Sequence, residues 1–247
     1  MNLNLTKLKI ALSGYGKMGH EVEKAAVARG HGILIAIDTP DGWNSAVKLL
    51  ESCDAVIDFS TPAAAAMAVN RCFDLGIPVV SGTTGWADGL SAAIERCLSG
   101  NHSFFHAPNF SIGVNIFFEI NRQLAQLMNP YSTYRAAIHE IHHIYKKDAP
   151  SGTAIALADG ILEANQAYHR WVSGPSANPG ELEVSSERTG EIPGTHIVSW
   201  SSATDDIEIK HTARNREGFA LGAVLAAEWL HGRKGFFGMA DLLGNKP

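Results

Sequence analysis

Only three cysteines occur in the 247 residues, Cys53, Cys72 and Cys97, widely spaced and without a CxxC pair. Neither a disulfide framework nor a zinc knuckle is indicated, and that usage suits a reducing compartment. The chain has no block of Lys or Arg, and 20 basic against 25 acidic residues leave a formal net charge of -5 and a pI near 6.1. Such a balance argues against a nucleic-acid surface and for a small-molecule partner. No apolar run reaches the length needed to span a bilayer. The opening MNLNLTKLKIALSGYG also lacks a long apolar core followed by a cleavage site, so a soluble, cytoplasmic protein without membrane partner is expected. Internal repeats and low-complexity tracts are missing too, which excludes a solenoid or a disordered chain. What is present is a hydrophobic share of 45%, ample for one large domain or two modest ones.

The first motif is GYGKMG. Leu8, Ile10 and Leu12 alternate as in a strand and run into Gly14, Gly16 and Gly19 at GxGxxG spacing, with a helical pattern behind. In a dinucleotide site the first glycine allows the tight turn, the second lets backbone approach the pyrophosphate, and the third lets helix and strand pack closely. A second strand, Ile33 to Ile37, ends in Asp38, where a carboxylate can accept both ribose hydroxyls of adenosine. No Arg stands beside that acid to pair with a 2′-phosphate, so NADH is expected to be preferred over NADPH, with Lys48 the one nearby cation in sequence. Strand and helix then alternate through Ala55 to Phe59, Pro62 to Leu75 and Ile77 to Val80, the grammar of an open parallel sheet. Strand ends in such a sheet face the ligand, which puts Phe59, Ser60, Thr61, Gly82, Thr83, Thr84 and Gly85 at the cofactor cleft. A helix over 112–128 carries Ile116, Ile120, Leu124 and Leu127 on one stripe, read as core or interface packing.

The second half is organised around EIHHIYKKDAPSGTA, Glu140 to Ala154. Pro150 suits a first helical turn, and Ser151, Gly152 and Thr153 then present backbone N–H groups to a carboxylate or phosphate. Ile155, Ala158, Ile161 and Leu162 recur at helical spacing, giving a helix from about Ser151 to Glu163, after a strand ending near His143. His139, Glu140 and His143 also spell HExxH, the zinc-hydrolase pattern, which requires both histidines on one helical face. The β-branched segment and the adjoining Lys146 and Lys147 speak against that helix and for no metal. Longer strands follow: Glu181 to Arg188, Thr195 to Ala203 and Asp205 to Ala213. Their unlike faces suggest a mixed or antiparallel sheet. A last helix, Phe219 to His231, with Leu221, Val224, Leu225 and Leu230 inward, returns to the first domain. The expected fold is therefore α/β. It has an N-terminal Rossmann-like parallel-sheet domain (1–109 and 215–247) and a smaller α+β domain with a mixed sheet (110–214).

With GYGKMG, DFSTP, GTTG, APNFSIGVN, EIHHIYKKDAPSGTA and RTGEIPGTH in this order, the chain closely resembles the dihydrodipicolinate reductase family of lysine and diaminopimelate biosynthesis. The resemblance implies NAD(P)H-dependent reduction of a cyclic enamine-imine dicarboxylate. It makes His142 the catalytic acid/base and Lys146 the proton donor, with His143, Ser151, Gly152 and Thr153 binding substrate. It also implies cofactor contacts at Gly14, Tyr15, Gly16, Lys17, Met18, Gly19, Asp38, Gly82, Thr83, Thr84, Ala107, Pro108, Asn109 and Phe110, and a homotetramer built through the second-domain sheet. Two departures stand out. Lys17 replaces a more usual arginine, keeping the charge but losing the planar fork. The stretch between Asp38 and Asp54 is short, so a strand or helix is expected to be missing and the adenosine pocket more open. A different class, an NAD(H)-sensing module without catalysis, would keep the glycine loop but have no use for His142, His143 and Lys146.

Overall fold

The computed structural model describes residues 6–244. The outermost residues assigned to the first domain, 1–5 and 245–247, lie outside that range. The chain divides into two compact units, one running to Ile112 and resuming at Arg216, the other Gly113–Asn215.

In chain order the first unit contains β1 (Lys9–Ser13), α1 (Lys17–Ala28), β2 (Gly32–Ile37), α2 (Pro40–Leu50), β3 (Ala55–Asp58), α3 (Pro62–Asp74), β4 (Val79–Ser81), α4 (Ala87–Ser99) and β5 (Ser103–His106). The second contains most of α5 (Ile112–Met128), then β6 (Arg135–His142), α6 (Gly152–Ala164), β7 (Arg170–Ser173), β8 (Glu181–Arg188), β9 (Gly194–Ser201) and β10 (Asp206–Ala213). The first unit then closes with α7 (Glu217–Leu230), β11 (Gly235–Phe237) and α8 (Met239–Leu242).

The first sheet has the order β11-β5-β4-β3-β1-β2 and is parallel throughout. Alternation along β1 feeds two cores. Ile10 and Leu12 pack with α1 and α7, while Ala11 packs toward Trp43, Leu50 and Val69 of α2 and α3. Strand order reverses at β1, flanked by β2 on one side and β3 on the other. Ligands of open α/β sheets bind at the carboxyl ends beside such a reversal. β11 went unread in the sequence, because three residues of strand after a glycine carry too little periodicity.

The second sheet has the order β10-β9-β6-β8-β7 and is mixed: β6 pairs parallel with β8 and antiparallel with β9. Its buried face, with Ile138, Val184, Val198 and Trp200, packs on Phe117 of α5 and Leu157 and Ile161 of α6. The fold is α/β as expected.

Three expectations need correction. The stripe Ile116, Ile120 and Leu127 on α5 is exposed, and the helix buries the neighbouring face, Val114, Phe117, Asn121, Ala125 and Met128. The Asn121 amide there donates to the Leu157 carbonyl, a polar anchor that hydrophobic periodicity does not register. On α7 Val224 and Leu230 are buried as expected, together with the small Ala220, Ala223, Ala226 and Ala227, while Leu221 is exposed and Leu225 half-buried. The helix approaches closely at one point: a Cβ on Gly222 would stand 1.8 Å from the Phe110 carbonyl oxygen, which is why small residues share that face. Finally, the short stretch after Asp38 does hold a helix, α2, started by the Thr39 hydroxyl accepting from the Gly42 N–H. It holds no strand, so β2 is the sheet's edge. Lys48 lies in the last turn of α2, about 12 Å along the axis from Pro40 at 1.5 Å per residue.

Candidate active site

In the first unit a pocket opens at the carboxyl ends of β1, β2 and β3, walled by Gly14, Gly16, Asp38, Trp43, Phe59 and Met67 among others. Its volume, about 250 Å³, is below the usual range of ~300–1,000 Å³ for small-molecule sites, so it suits part of a dinucleotide rather than the whole. Each glycine of the loop has its own reason. Gly14 sits at φ +84°, and a Cβ there would meet the Phe59 carbonyl oxygen at 2.4 Å. Gly19 is pressed on the Gly14 carbonyl, also at 2.4 Å. Gly16 has nothing within 4 Å, so the protein itself does not demand a glycine there. An arriving phosphate would. Gly16 also caps α1 without any side-chain bond, leaving first-turn N–H groups and the positive helix end for an anion. These features fit a nicotinamide dinucleotide.

Asp38 is exposed directly after β2, and one carboxylate oxygen accepts from the Tyr15 N–H at 2.9 Å, tying the acid to the glycine loop. The Tyr15 hydroxyl donates to Glu23, and Lys17 is exposed at the start of α1. The remaining expected contacts divide. Gly82, Thr83 and Thr84 are not part of the pocket lining. A Cβ on Gly82 would strike the Phe59 ring, and Thr83 is buried, accepting from the Ser60 N–H and donating to Asp58. Ala107 and Phe110 belong to the core, with Phe110 edge-on to Phe59, while Pro108 is exposed and the Asn109 side chain accepts from the Ser111 N–H.

The second unit builds its site at the end of β6. Even-numbered residues of that strand face the core, and the face changes from Ala136 and Ile138 to Glu140 and His142 under the start of α6. Glu140 is fully buried. Its Oε1 accepts from the Ser151 N–H at 3.0 Å, the Ser186 hydroxyl at 2.8 Å and the Arg188 guanidinium at 2.9 Å. Its Oε2 lies 3.2 Å from His142 Nδ1 and 3.6 Å from His196 Nε2. Burial works to raise this carboxyl, but hydrogen bonding from His142, His196, Ser151 and Arg188 prevails and holds it well below its ordinary range. His196 is held below its ordinary value, chiefly by burial, and so stays uncharged near neutral pH.

Ser151 caps α6, its hydroxyl accepting from the Ala154 N–H at 3.2 Å. Its own amide is engaged by Glu140, so of the three N–H groups expected to be open, those of Gly152 and Thr153 remain. As the first residues of α6 they have no helical carbonyl to donate to, and they can hold a carboxylate. In the loop before the helix, Lys146 Nζ lies 2.8 Å from both carboxylate oxygens of Asp148, and Arg188 donates to the Asp148 carbonyl. Hydrogen bonding from Lys146 is the main cause of the lowered Asp148 carboxyl. The His143 ring stands beside that of Tyr145. The structure thus gathers His142, Lys146, His143, Gly152 and Thr153 on one strand end, one loop and one helix start.

The HExxH reading fails, because His139 and Glu140 are successive residues of a strand and point to opposite faces. A different trio, Glu140, His142 and His196, has donor atoms within 4.8 Å of one another. Arg188 already neutralises that carboxylate and the Ser151 hydroxyl stands 3.2 Å from His196 Nε2, so the trio reads as a hydrogen-bonded acid rather than a cation's ligand set. Sequence reasoning missed Glu140, Arg188, Asp148 and His196 as parts of the site. Glu140 had a signal: an acid on the core face of a central strand requires a reason.

Family comparison agrees with both halves. The profile described as "Dihydrodipicolinate reductase, N-terminus" matches residues 8–110, and "Dihydrodipicolinate reductase, C-terminus" matches residues 113–243. A 4-hydroxy-tetrahydrodipicolinate reductase of Christiangramia forsetii is 46% identical over 238 residues, 96% of this chain and 98% of that protein. One from Archaeoglobus fulgidus is 34% identical, over 96% of this chain and all (100%) of that protein. The solved, dipicolinate-bound dihydrodipicolinate reductase of Paenisporosarcina sp. TG-14 shares the fold, with a TM-score of 0.74 at 20% identity over 96% of this chain and 99% of that one.

Proposed function

The chain belongs to the dihydrodipicolinate reductase family, and from that premise we infer an NAD(P)H-dependent oxidoreductase that reduces 4-hydroxy-tetrahydrodipicolinate to tetrahydrodipicolinate, with loss of water, in lysine and diaminopimelate biosynthesis. The reduced nicotinamide supplies the hydride. The first unit is the cofactor domain and the second the substrate domain. Gly16 and the first turn of α1 hold the pyrophosphate, and Asp38 holds the adenosine ribose. Gly152 and Thr153 bind one carboxylate of the dianion. His143 binds the ring, and Lys146 leaves Asp148 to meet the substrate. His142 is the acid/base and Lys146 delivers the proton that must follow hydride onto the conjugated ring. Charge-assisted contacts to a doubly negative ligand are the strong kind, which supports a small dicarboxylate.

The observation that carries this reading is Glu140, buried at the end of β6, which faces His142, accepts from the Ser151 N–H at the open start of α6 and is joined through Arg188 to Asp148, the partner of Lys146, in a chain that also holds the glycine loop. NADH is preferred over NADPH, since Asp38 would repel a 2′-phosphate and Lys48 is carried away along α2. The enzyme is cytoplasmic, and it assembles as a homotetramer through the face of the second sheet bearing Ala137, Ile141, Ile197 and Ser199, opposite the one that packs on α5 and α6.

The deciding assay follows NADH oxidation in a mixture of aspartate semialdehyde, pyruvate and the preceding synthase. Turnover that requires all components is expected. NADH binding without turnover would instead indicate a sensing module. Comparing kcat/KM for the two cofactors tests the preference, and a large advantage for NADPH would refute it. In Asp38→Ala the NADH advantage should shrink by roughly tenfold, the scale of one lost charge-assisted contact.

A further inference from the structure

Glu140 occupies a position where an apolar residue would serve the fold. Its strand neighbours on the same face, Ala136 and Ile138, are core residues, and an ionised carboxylate there is tolerated only because five groups converge on it. The register arranges them in two rows across the sheet. Ser186, Glu140 and His196 are directly paired, and one step further Arg188 pairs with His142, beside Gly194. Three donors occupy Oε1, and two imidazoles face Oε2.

The two imidazoles are not equivalent. The Ser151 hydroxyl, which accepts from the Ala154 N–H, stands 3.2 Å from His196 Nε2, nearer than the 3.6 Å from that nitrogen to the carboxylate. His142 Nδ1, at 3.2 Å, is thus the nearer of the two ring nitrogens that face Oε2. On the far side of the ring, His142 Nε2 lies over Gly194, where a Cβ would approach to 3.0 Å, so the missing side chain makes space for that edge.

We propose that Glu140 is a positioning residue for the reduction: its Oε2 fixes the proton of neutral His142 on Nδ1, so that Nε2 is the atom that exchanges a proton with the substrate. The proposal rests on the reading of His142 as the acid/base. The same carboxylate holds the site together more widely. Arg188 links Glu140 to the Asp148 carbonyl, and the Asp148 side chain holds Lys146, so the two proton-handling residues share one buried anchor.

A glutamine at this position makes the test sharp. Because Oε1 faces three donors, Glu140→Gln must place its carbonyl there and turn its NH2 toward His142 Nδ1. That nitrogen must then accept, and the tautomer reverses. Ring-nitrogen NMR of ¹⁵N-histidine-labelled enzyme, at a pH where His142 is neutral and with His142→Gln used for assignment, reads this directly. Wild type should show protonated Nδ1, and Glu140→Gln protonated Nε2. The kcat of Glu140→Gln should fall at least ~100-fold, the scale of a misassigned general acid. NADH affinity should stay unchanged, and Glu140→Asp should recover at least tenfold over the glutamine. Protonated Nε2 in wild type overturns the proposal, and that spectrum decides even if the glutamine variant does not fold. A folded glutamine variant turning over within threefold of wild type also overturns it. Normal turnover by His142→Gln would instead remove the acid/base assignment itself, a separate result.

Discussion

In the function proposed above, the two units meet their ligands by opposite means. The pocket of the first combines a glycine-loop backbone and exposed Asp38 with apolar walls such as Trp43, Phe59 and Met67, whereas the site of the second rests on a buried carboxylate crowded by cationic and polar side chains. The contrast extends to their buried acids. Among the described residues the Asp58 carboxylate, at the end of β3, accepts from the neutral hydroxyls of Ser13, Ser81 and Thr83, and so ties the ends of β1, β3 and β4 beside the pocket. Glu140 is balanced by Arg188 and faced by two histidines, which are themselves chemically able. A dinucleotide is recognised along its backbone-like phosphates and needs shape. A small dianion that must be protonated needs fixed charge and a fixed proton.

The sharpest way to break that contrast is to remove the proton handlers. His142→Gln and Lys146→Ala should each lower kcat by about 10²–10⁴-fold, while NADH binding, followed by nucleotide fluorescence, persists. Loss of nucleotide binding in either variant would show that the units do not divide the work as described.

The glycine loop sharpens it further. In Gly14→Ala the new Cβ meets the Phe59 carbonyl at φ +84°, which should destabilise the first unit by about 1–3 kcal/mol. Gly16→Ala meets nothing. Its melting temperature should match wild type, with NADH affinity weakened by roughly tenfold. Equal thermal effects in the two variants would refute the distinction between a glycine the fold requires and one the ligand requires.

The smallest effect is in acid. Burial lowers His106 in the first unit and His196 and His211 in the second. A histidine lowered in the folded state binds its proton later than in the unfolded chain. Its stabilising contribution is therefore complete above the ordinary 6.5 and declines as pH falls below it. Glu140 follows the same sign in a lower window, declining once pH falls below the ordinary carboxyl value of 4.5, at a rate of up to ~1.4 kcal/mol per pH unit for one proton. Denaturant melts between pH 7 and 3 should show both declines, and Glu140→Gln should be flatter than wild type below pH 4.5.

Much of this was legible in residues alone. GYGKMG after an alternating strand, Asp38 after the next, and the breaker run before an amphipathic helix each carry a local physical reason, and the longer strands and α6 lie where those reasons put them. Faces were less legible. Ile116, Ile120 and Leu127 of α5 and Leu221 of α7 were misassigned because periodicity shows which residues share a face, not which of two apolar faces meets a neighbour.

Sequence by itself determined the family, the alternating α/β grammar and the presence of two imidazoles, a lysine and a helix start within fifteen residues, since all of these are written in short-range order. Only the tertiary structure decided that Glu140 is the anchor. Its partners Ser186, Arg188 and His196 lie 46 to 56 positions along the chain and are brought to it by the pairing of β6 with β8 and β9, while Ser151 comes from the start of α6. A buried charge is explained by what surrounds it, and that is fixed by strand register rather than by the neighbours in sequence.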